Sequence, residues 1–270
     1  MAGYSRTVFD LDAYLARIGL AGRPGLAEVH RAHVTSIPFE NLDPYSGRAV
    51  SLDIDDLQQK LVVERRGGYC FEHNLLLREA LQALGAEVDM FLARVRLGAP
   101  PGVTRPRSHL VLRIRSGGGD WHADVGFGNG TLLDPIPFGP GAEYEQAGWR
   151  FRVVEEDHEL VLQGFQSGEW VDVYAFPPQP VARIDVETIN WYVSTHPSSP
   201  FVTGLIVARQ GEDGGRLVLS DWSELSLTES TPRNSSTTPV EPEEVPRLLA
   251  DRFGLSGWER GVDGRIARAG

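Results

Sequence analysis

Arg65-Arg66-Gly67-Gly68-Tyr69-Cys70-Phe71-Glu72-His73-Asn74 contains the only cysteine of this 270-residue chain. Two successive glycines let the backbone turn tightly and come close to a neighbour or a ligand. Directly after the cysteine, Phe71, Leu75, Leu76, Ala80, Leu81 and Leu84 recur at helical spacing until Gly85. The spacing predicts a helix that begins at Cys70. Its thiol then sits in a first turn, where unpaired N–H groups and the positive end of the helix dipole favour thiolate over thiol. A thiol placed to ionise is a candidate nucleophile. A free cysteine more commonly packs as a small buried hydrophobe, so the assignment needs partners elsewhere in the chain. Cys70 and His73 have the spacing of two metal ligands, but no second cysteine and no nearby His-x-x-x-His complete a set, and no metal is expected.

The chain is long enough to bury a sizeable core, and its 41% hydrophobic and 23% charged content is that of a globular protein. No run of eighteen apolar residues is present, and the acidic N-terminal stretch does not read as a signal peptide. A lone cysteine forms no internal disulfide and fits a reducing cytoplasm. The net charge of −11 argues against nucleic acid as the partner. Lys60 is the sole lysine in a chain rich in Arg, Ala and Gly, the usage of a GC-rich bacterial genome.

Outward from the cysteine run, helical periodicity covers 9–20, 26–37 (ended by Pro38) and 54–63, for which Ser51 is a candidate cap. With the Cys70 helix these form a helical bundle over 1–86. From Glu87 the period changes to two, and strands are predicted over 90–97, 109–115, 121–125, 149–155, 159–165 and 170–176. Ser116-Gly117-Gly118-Gly119-Asp120 has the composition of a hairpin turn between the second and third of these. Closely spaced antiparallel strands point to a barrel or sandwich over 87–180. The last third, 181–270, mixes a short helix over 186–192, a hairpin over 201–227 and a final helix over 245–253. Its Ser/Thr/Pro/Glu-rich stretch 228–244 reads as a mobile loop.

A cysteine nucleophile needs a base, and the base needs an orienting group. Among seven histidines, His30 and His33 lie on a predicted bundle helix and His158 in an acidic hairpin tip. His109 opens an apolar strand, and Asp124 ends the strand expected to pair with it. A turn near Gly117 or Gly118 brings the two within a few positions of opposite, close enough for an imidazole–carboxylate hydrogen bond. Asp124 lies between Ala123 and Val125, where a carboxylate is costly to bury without a partner. His73 and His122 remain the alternatives to His109.

These pieces, with Ile37-Pro38-Phe39-Glu40-Asn41-Leu42, Ser108-His109, Asp124-Val125-Gly126-Phe127-Gly128 and Asn190-Trp191-Tyr192-Val193-Ser194-Thr195-His196-Pro197, give a chain that resembles the arylamine N-acetyltransferases. The likeness runs over most of the length and weakens after about Val207. It implies an α+β fold: an N-terminal helical bundle, a central antiparallel β-barrel and a C-terminal α/β lid. A cysteine-protease-like triad of Cys70, His109 and Asp124 straddles the first two. Two departures are Ser108, where the family often has threonine, and Asn129 before Gly130, where a glycine commonly follows Gly-Phe-Gly.

The resemblance implies ping-pong acetyl transfer from acetyl-CoA to the nitrogen of an arylamine, hydrazine or N-hydroxyarylamine through acetyl-Cys70. It implies no bound prosthetic group and no membrane partner. It sets Phe39, Phe127 and Phe201 around the acceptor and Gly128, Asn129 and Gly130 toward the coenzyme. An Arg66–Glu40 ion pair would hold the Gly-Gly turn in register. The same triad would serve an amide synthase of this family that closes a polyketide macrolactam. It would also serve a cysteine hydrolase or a transglutaminase-like enzyme; a binding protein that merely retains the cleft fits a complete triad poorly.

Overall fold

The computed structural model describes residues 9–100, 102–261 and 264–269. The first third comprises α1 (Leu11–Arg17), α2 (Leu26–Ser36), the short strand β1 (Phe39–Glu40), α3 (Leu42–Tyr45), α4 (Ile54–Leu57) continuing as a π-helix over Gln58–Val63, and α5 (Cys70–Ala83). Ile37 is already extended, because a residue before proline is pushed out of helical backbone. Ser51 stands just outside its helix, accepting from Asp53 N at 3.2 Å and donating to Asp56. α5 buries ten of its fourteen residues, Glu72, His73 and Asn74 included, so it is a central helix with polar groups inside.

The middle of the chain forms β2 (Glu87–Val95), β3 (His109–Ser116), β4 (Gly119–Ala123), β5 (Ile136–Pro137), β6 (Tyr144–Gln146), β7 (Trp149–Glu156), β8 (Glu159–Gln166) and β9 (Glu169–Phe176). They make one antiparallel sheet in the order β5-β4-β3-β2-β9-β8-β7-β6, a nearly closed barrel. Phe91, Val111, Phe151, Leu162 and Phe176 fill its inside, while alternate residues such as Arg150 and Arg152 on β7 are less buried. The outer strands meet through a side chain. Gln146 Oε1 on β6 accepts from Leu133 N at 2.9 Å, and its Nε2 donates to Asp134 O at 2.8 Å, just ahead of β5.

The last third holds α6 (Arg183–Thr195), α7 (Pro200–Thr203), β10 (Ile206–Gln210), β11 (Arg216–Ser220), β12 (Ser226–Ser230), β13 (Ser235–Pro239), α8 (Val245–Phe253), β14 (Trp258–Arg260) and β15 (Ile266–Arg268). Its five-stranded sheet runs β1-β10-β11-β12-β13, so a strand from the N-terminal helical region pairs into the C-terminal region. Asn41 fastens that join: its Oδ1 accepts from Ile206 N at 2.8 Å and its Nδ2 donates to Phe201 O and Gly204 O. No described helix is long and apolar enough to cross a membrane.

Three expectations need correction. The stretch 228–244, read as a mobile loop, supplies the hairpin β12–β13 and a 3₁₀ turn. β13 is exposed along its whole length, and its hydroxyls pair across the ladder (Thr228 with Thr237, Ser230 with Ser235), so a polar composition here belongs to an edge strand. The hairpin expected from residue 201 begins at Ile206, because Ser199 and Pro200 start a helical turn with Ser199 accepting from Phe201 N. The strand expected over 121–125 stops at Ala123. Beyond it, Asp124 N and Val125 N are taken by the side chains of His30 and Asn74 instead of a neighbouring strand.

Candidate active site

The Gly-Gly turn is a steric requirement. A Cβ on Gly67 would lie 2.0 Å from Pro38 O, and one on Gly68 2.6 Å from a Glu72 carboxylate oxygen. Without side chains, the turn lies directly against β1: Glu40 N donates to Gly68 O at 2.7 Å. Glu72 then accepts from Tyr69 N at 3.0 Å, satisfying a donor at the helix start. Tyr69 OH donates to Asn190 Oδ1 on α6. These contacts fix Cys70, 3% exposed, as the first residue of α5.

Beneath them lies a buried charge cluster. Arg66 bonds Glu40 at 2.8 Å and Asp43 at 2.9 Å, while Lys60 bonds Glu72 at 2.6 Å and Asp43 at 2.7 Å. Burial pushes Glu72 up to about 7 against the pull of Lys60. Lys60 and Arg66 are themselves held above their ordinary values: their acidic partners outweigh the burial that opposes the charge. The Arg66–Glu40 contact expected from the sequence is therefore one edge of a five-residue network, and Lys60 is a member that sequence reading left without a role.

Next to Cys70, His109 opens β3 and is 3% exposed. Its Nε2 lies 2.7 Å from Asp124 Oδ2, and Cys70 Sγ lies 3.7 Å from Ser108 O. Burial works against charge on His109, but the charge and hydrogen bond of Asp124, helped by Cys70, push it up to about 10. Burial likewise opposes charge on Asp124, yet His109, with hydrogen bonds from Asn74 and Gly126, holds it well below the usual carboxylate range. Asp124 Oδ1 accepts from Asn74 Nδ2 at 3.0 Å and from Gly126 N at 2.9 Å. Gly126 is required for another reason: its Cβ would stand 2.7 Å from Cys70 Cα.

Two residues that sequence reading passed over complete the setting. Asn74, one turn beyond Cys70, donates to Leu110 O at 2.7 Å as well as to Asp124, and accepts from Val125 N. Its position four residues after Cys70 puts both on one face of α5, the signal by which it could have been found. His30 on α2 accepts from Asp124 N at 3.2 Å through Nε2, and its Nδ1 bonds Leu133 O at 3.0 Å. Nothing in the sequence marks a contact of that separation. The two histidines left as alternatives to His109 are committed elsewhere. His73 lies between His33 Nε2 (2.9 Å) and Pro38 O (3.2 Å), and His122 bonds Tyr174 OH at 2.7 Å. Burial pulls His30, His73 and His122 down to about 4.

The phenylalanines gather on two sides. Phe127 packs edge-on against His109, centroids 5.2 Å apart, and stays partly exposed. Phe39 and Phe201 face each other at 6.3 Å, with Phe201 5.5 Å from Tyr69. Gly128 joins the two groups, since a Cβ there would meet the Phe39 ring at 3.1 Å. Gly128 and Gly130 both have positive φ, 78° and 106°, and Asn129 between them is exposed. Asn129 and Gly130 line a small cavity of about 10 Å³ with Phe127 and Arg216. A larger cleft, about 680 Å³, is not at the triad: it opens on the C-terminal sheet between the turns at 211–215 and 231–234. Among the described residues no group of three or more His, Cys, Asp or Glu is arranged to hold a metal ion.

Residues 24–258 match the protein family described as N-acetyltransferase. The chain is 45% identical to the arylamine N-acetyltransferase of Mycolicibacterium smegmatis over 96% of its own length and 97% of that protein. It is 35% identical to the Escherichia coli K12 arylamine N-acetyltransferase, covering 78% of this chain and 77% of that one. Among solved structures, the Mycobacterium marinum arylamine N-acetyltransferase in complex with CoA superposes with a TM-score of 0.86 at 36% identity, over 91% of this chain and 93% of that one.

Proposed function

The chain belongs to the arylamine N-acetyltransferase family, and we propose that it moves an acetyl group from acetyl-CoA to the nitrogen of an arylamine, hydrazine or N-hydroxyarylamine by way of an acetyl-cysteine. The observation that carries this reading is the buried His109, bonded to Asp124 and set beside Cys70, with its proton affinity raised to about 10.

Cys70 gives its proton to His109, and the sulfur attacks the thioester carbonyl of the donor. A Cys70 S–C bond forms, the CoA S–C bond breaks, and His109 returns the proton to the leaving CoA sulfur. In the second half the acceptor nitrogen attacks acetyl-Cys70 while His109 takes its proton. The N–C bond forms, the S–C bond breaks, and the cycle ends with Cys70 and His109 restored. Asp124 fixes the imidazole tautomer and stabilises the imidazolium that appears in both halves. Phe127, Phe39 and Phe201 offer aromatic faces to a flat acceptor. Gly128, Asn129 and Gly130 form the loop turned toward the coenzyme. The lone thiol suits work in a reducing cytoplasm.

Intact-mass measurement after addition of acetyl-CoA tests the reading. The protein is expected to gain one acetyl group, lose it on addition of an arylamine, and gain none as Cys70→Ser. A wild-type chain that stays unmodified would refute it.

A further inference from the structure

Arg216, the first residue of β11, is 7% exposed and lies flat on Trp149 of the barrel, its guanidinium carbon 3.5 Å from the ring centroid. Its Nε and Nη2 are buried with no hydrogen-bond partner among the described residues. The nearby acids do not serve it: Glu229 pairs with Arg252, and Asp213 accepts from Gly215 N at 2.9 Å. Arg66, Arg78 and Arg113 each leave Nε unpaired as well, but every one of them has a carboxylate partner, which Arg216 lacks among the described residues. Arg66 has two carboxylates, and Arg17 donates to Leu61 O, Ser36 O and Arg65 O. A desolvated cation without a counter-charge is strongly unfavourable, and it marks a position where a partner comes from outside the chain.

Its location says which molecule could bring that partner. Arg216 borders both the large cleft and the small cavity lined by Phe127, Asn129 and Gly130. A Cβ on Gly130 would lie 3.8 Å from both Arg216 Nη1 and the Phe127 ring, and the same ring packs against His109. The guanidinium is thus separated from the triad by little more than one phenylalanine. Burial lowers its pKa only to about 9, so it stays charged at neutral pH.

We infer that Arg216 is an oxyanion-binding subsite for a ligand that also reaches Cys70, taking either a phosphoryl group of the donor or a carboxylate on the acceptor. The acetyl-transfer reading supplies the ligand's identity; the orphaned cation beside the cleft stands without it.

The test uses Arg216→Met, which keeps a long chain over Trp149, and Arg216→Lys, which restores the charge, both checked for cooperative thermal unfolding at or above the wild-type Tm. Cys70 acetylation is compared between acetyl-CoA and acetyl-pantetheine, which carries the same thioester without phosphates. Deacetylation is compared between 4-aminobenzoate and its methyl ester. In Arg216→Met the charged member of one pair is expected to lose about ten- to a hundredfold in kcat/KM, while its uncharged twin changes by less than about twofold. Arg216→Lys should recover part of the loss. A loss confined to acetyl-CoA assigns the subsite to the donor's phosphate, and one confined to aminobenzoate assigns it to the acceptor's carboxylate. Calorimetry with inorganic pyrophosphate and with benzoate reads the subsite without turnover, so a wild-type chain inert to acetyl-CoA would sink the acetyl-transfer reading and leave this one measurable. Equal losses within each pair, or no loss together with no anion binding, would overturn the inference and leave Arg216 as a brace between Trp149 and the C-terminal sheet.

Discussion

Asp124→Asn probes the site with almost no change of shape. Asp124 Oδ1 accepts from Asn74 Nδ2 and Gly126 N, so an asparagine must keep its carbonyl oxygen there and turn its NH₂ toward His109. An amide donor then faces Nε2 where a carboxylate acceptor stood 2.7 Å away. The ring responds by placing its proton on the other nitrogen, and loses the lone pair that takes the thiol proton. The rise of His109 from 6.5 to about 10 corresponds to roughly 5 kcal/mol in favour of the charged ring. Most of that rests on Asp124, because burial acts in the opposite sense. A loss of that size slows a reaction about 10³- to 10⁴-fold, the scale on which the same change acts in a serine-protease triad. Rapid-quench measurement of Cys70 acetylation, with thermal unfolding as control, reads it directly. A folded Asp124→Asn chain that acetylates within about tenfold of wild type would refute the role given to Asp124.

Phe127→Ala removes a ring that touches His109 while remaining partly exposed. Acceptor-dependent deacetylation is expected to lose about ten- to a hundredfold and acetylation by acetyl-CoA much less; equal losses would make Phe127 a support of the Asp124 turn. Lys60→Met strips the shared partner from Glu72 and Asp43, and chemical denaturation should show a loss of roughly 3–5 kcal/mol with a loosened start of α5. His30, His73 and His122 have folded pKa values near 4, below the ordinary 6.5, so the unfolded chain binds more protons between those values. The stability they permit is complete above about pH 6.5 and is lost as pH falls toward 4, by about 2 kcal/mol each at pH 5. His109 is shifted the other way, so its contribution is complete below 6.5 and is lost as pH rises through about 10. Denaturant midpoints that do not fall between pH 7 and pH 5 would contradict the buried neutral histidines.

The parts of this fold that were legible in the sequence are those in which local chemistry and tertiary need agree. Cys70 after two glycines begins a helix, His109 begins a strand, and the last helix spans Val245–Phe253 where its apolar period runs. The unreadable parts depend on contacts between distant segments. Gln146 closing the barrel edge, His30 holding the amide of Asp124 from 94 residues away, and Lys60 beneath the Gly-Gly turn look like ordinary polar residues in sequence. Residues 228–244 misled for the opposite reason. A strand exposed along its whole length has no apolar alternation, so its Ser/Thr content matches that of a loop.

The two halves of the site also differ in how completely the chain satisfies them. Around the triad, groups that hold Asp124 besides His109 are themselves fixed: Asn74 by Leu110 O, Gly126 by its closeness to Cys70, and His30, which accepts from the Asp124 amide, by the engagement of its other nitrogen. Such a constellation needs no reorganisation when the imidazolium forms, which is where electrostatic catalysis gains most. Arg216, on the far side of Phe127, keeps two buried donors without partners. On the proposed readings, the site has its chemistry assembled before any ligand arrives and its recognition still incomplete. An anion that satisfies Arg216 therefore adds stability to the folded state alone, in proportion to RT ln(1 + [L]/Kd), and Arg216→Met should remove that ligand-induced rise in Tm while leaving the triad's geometry as it is.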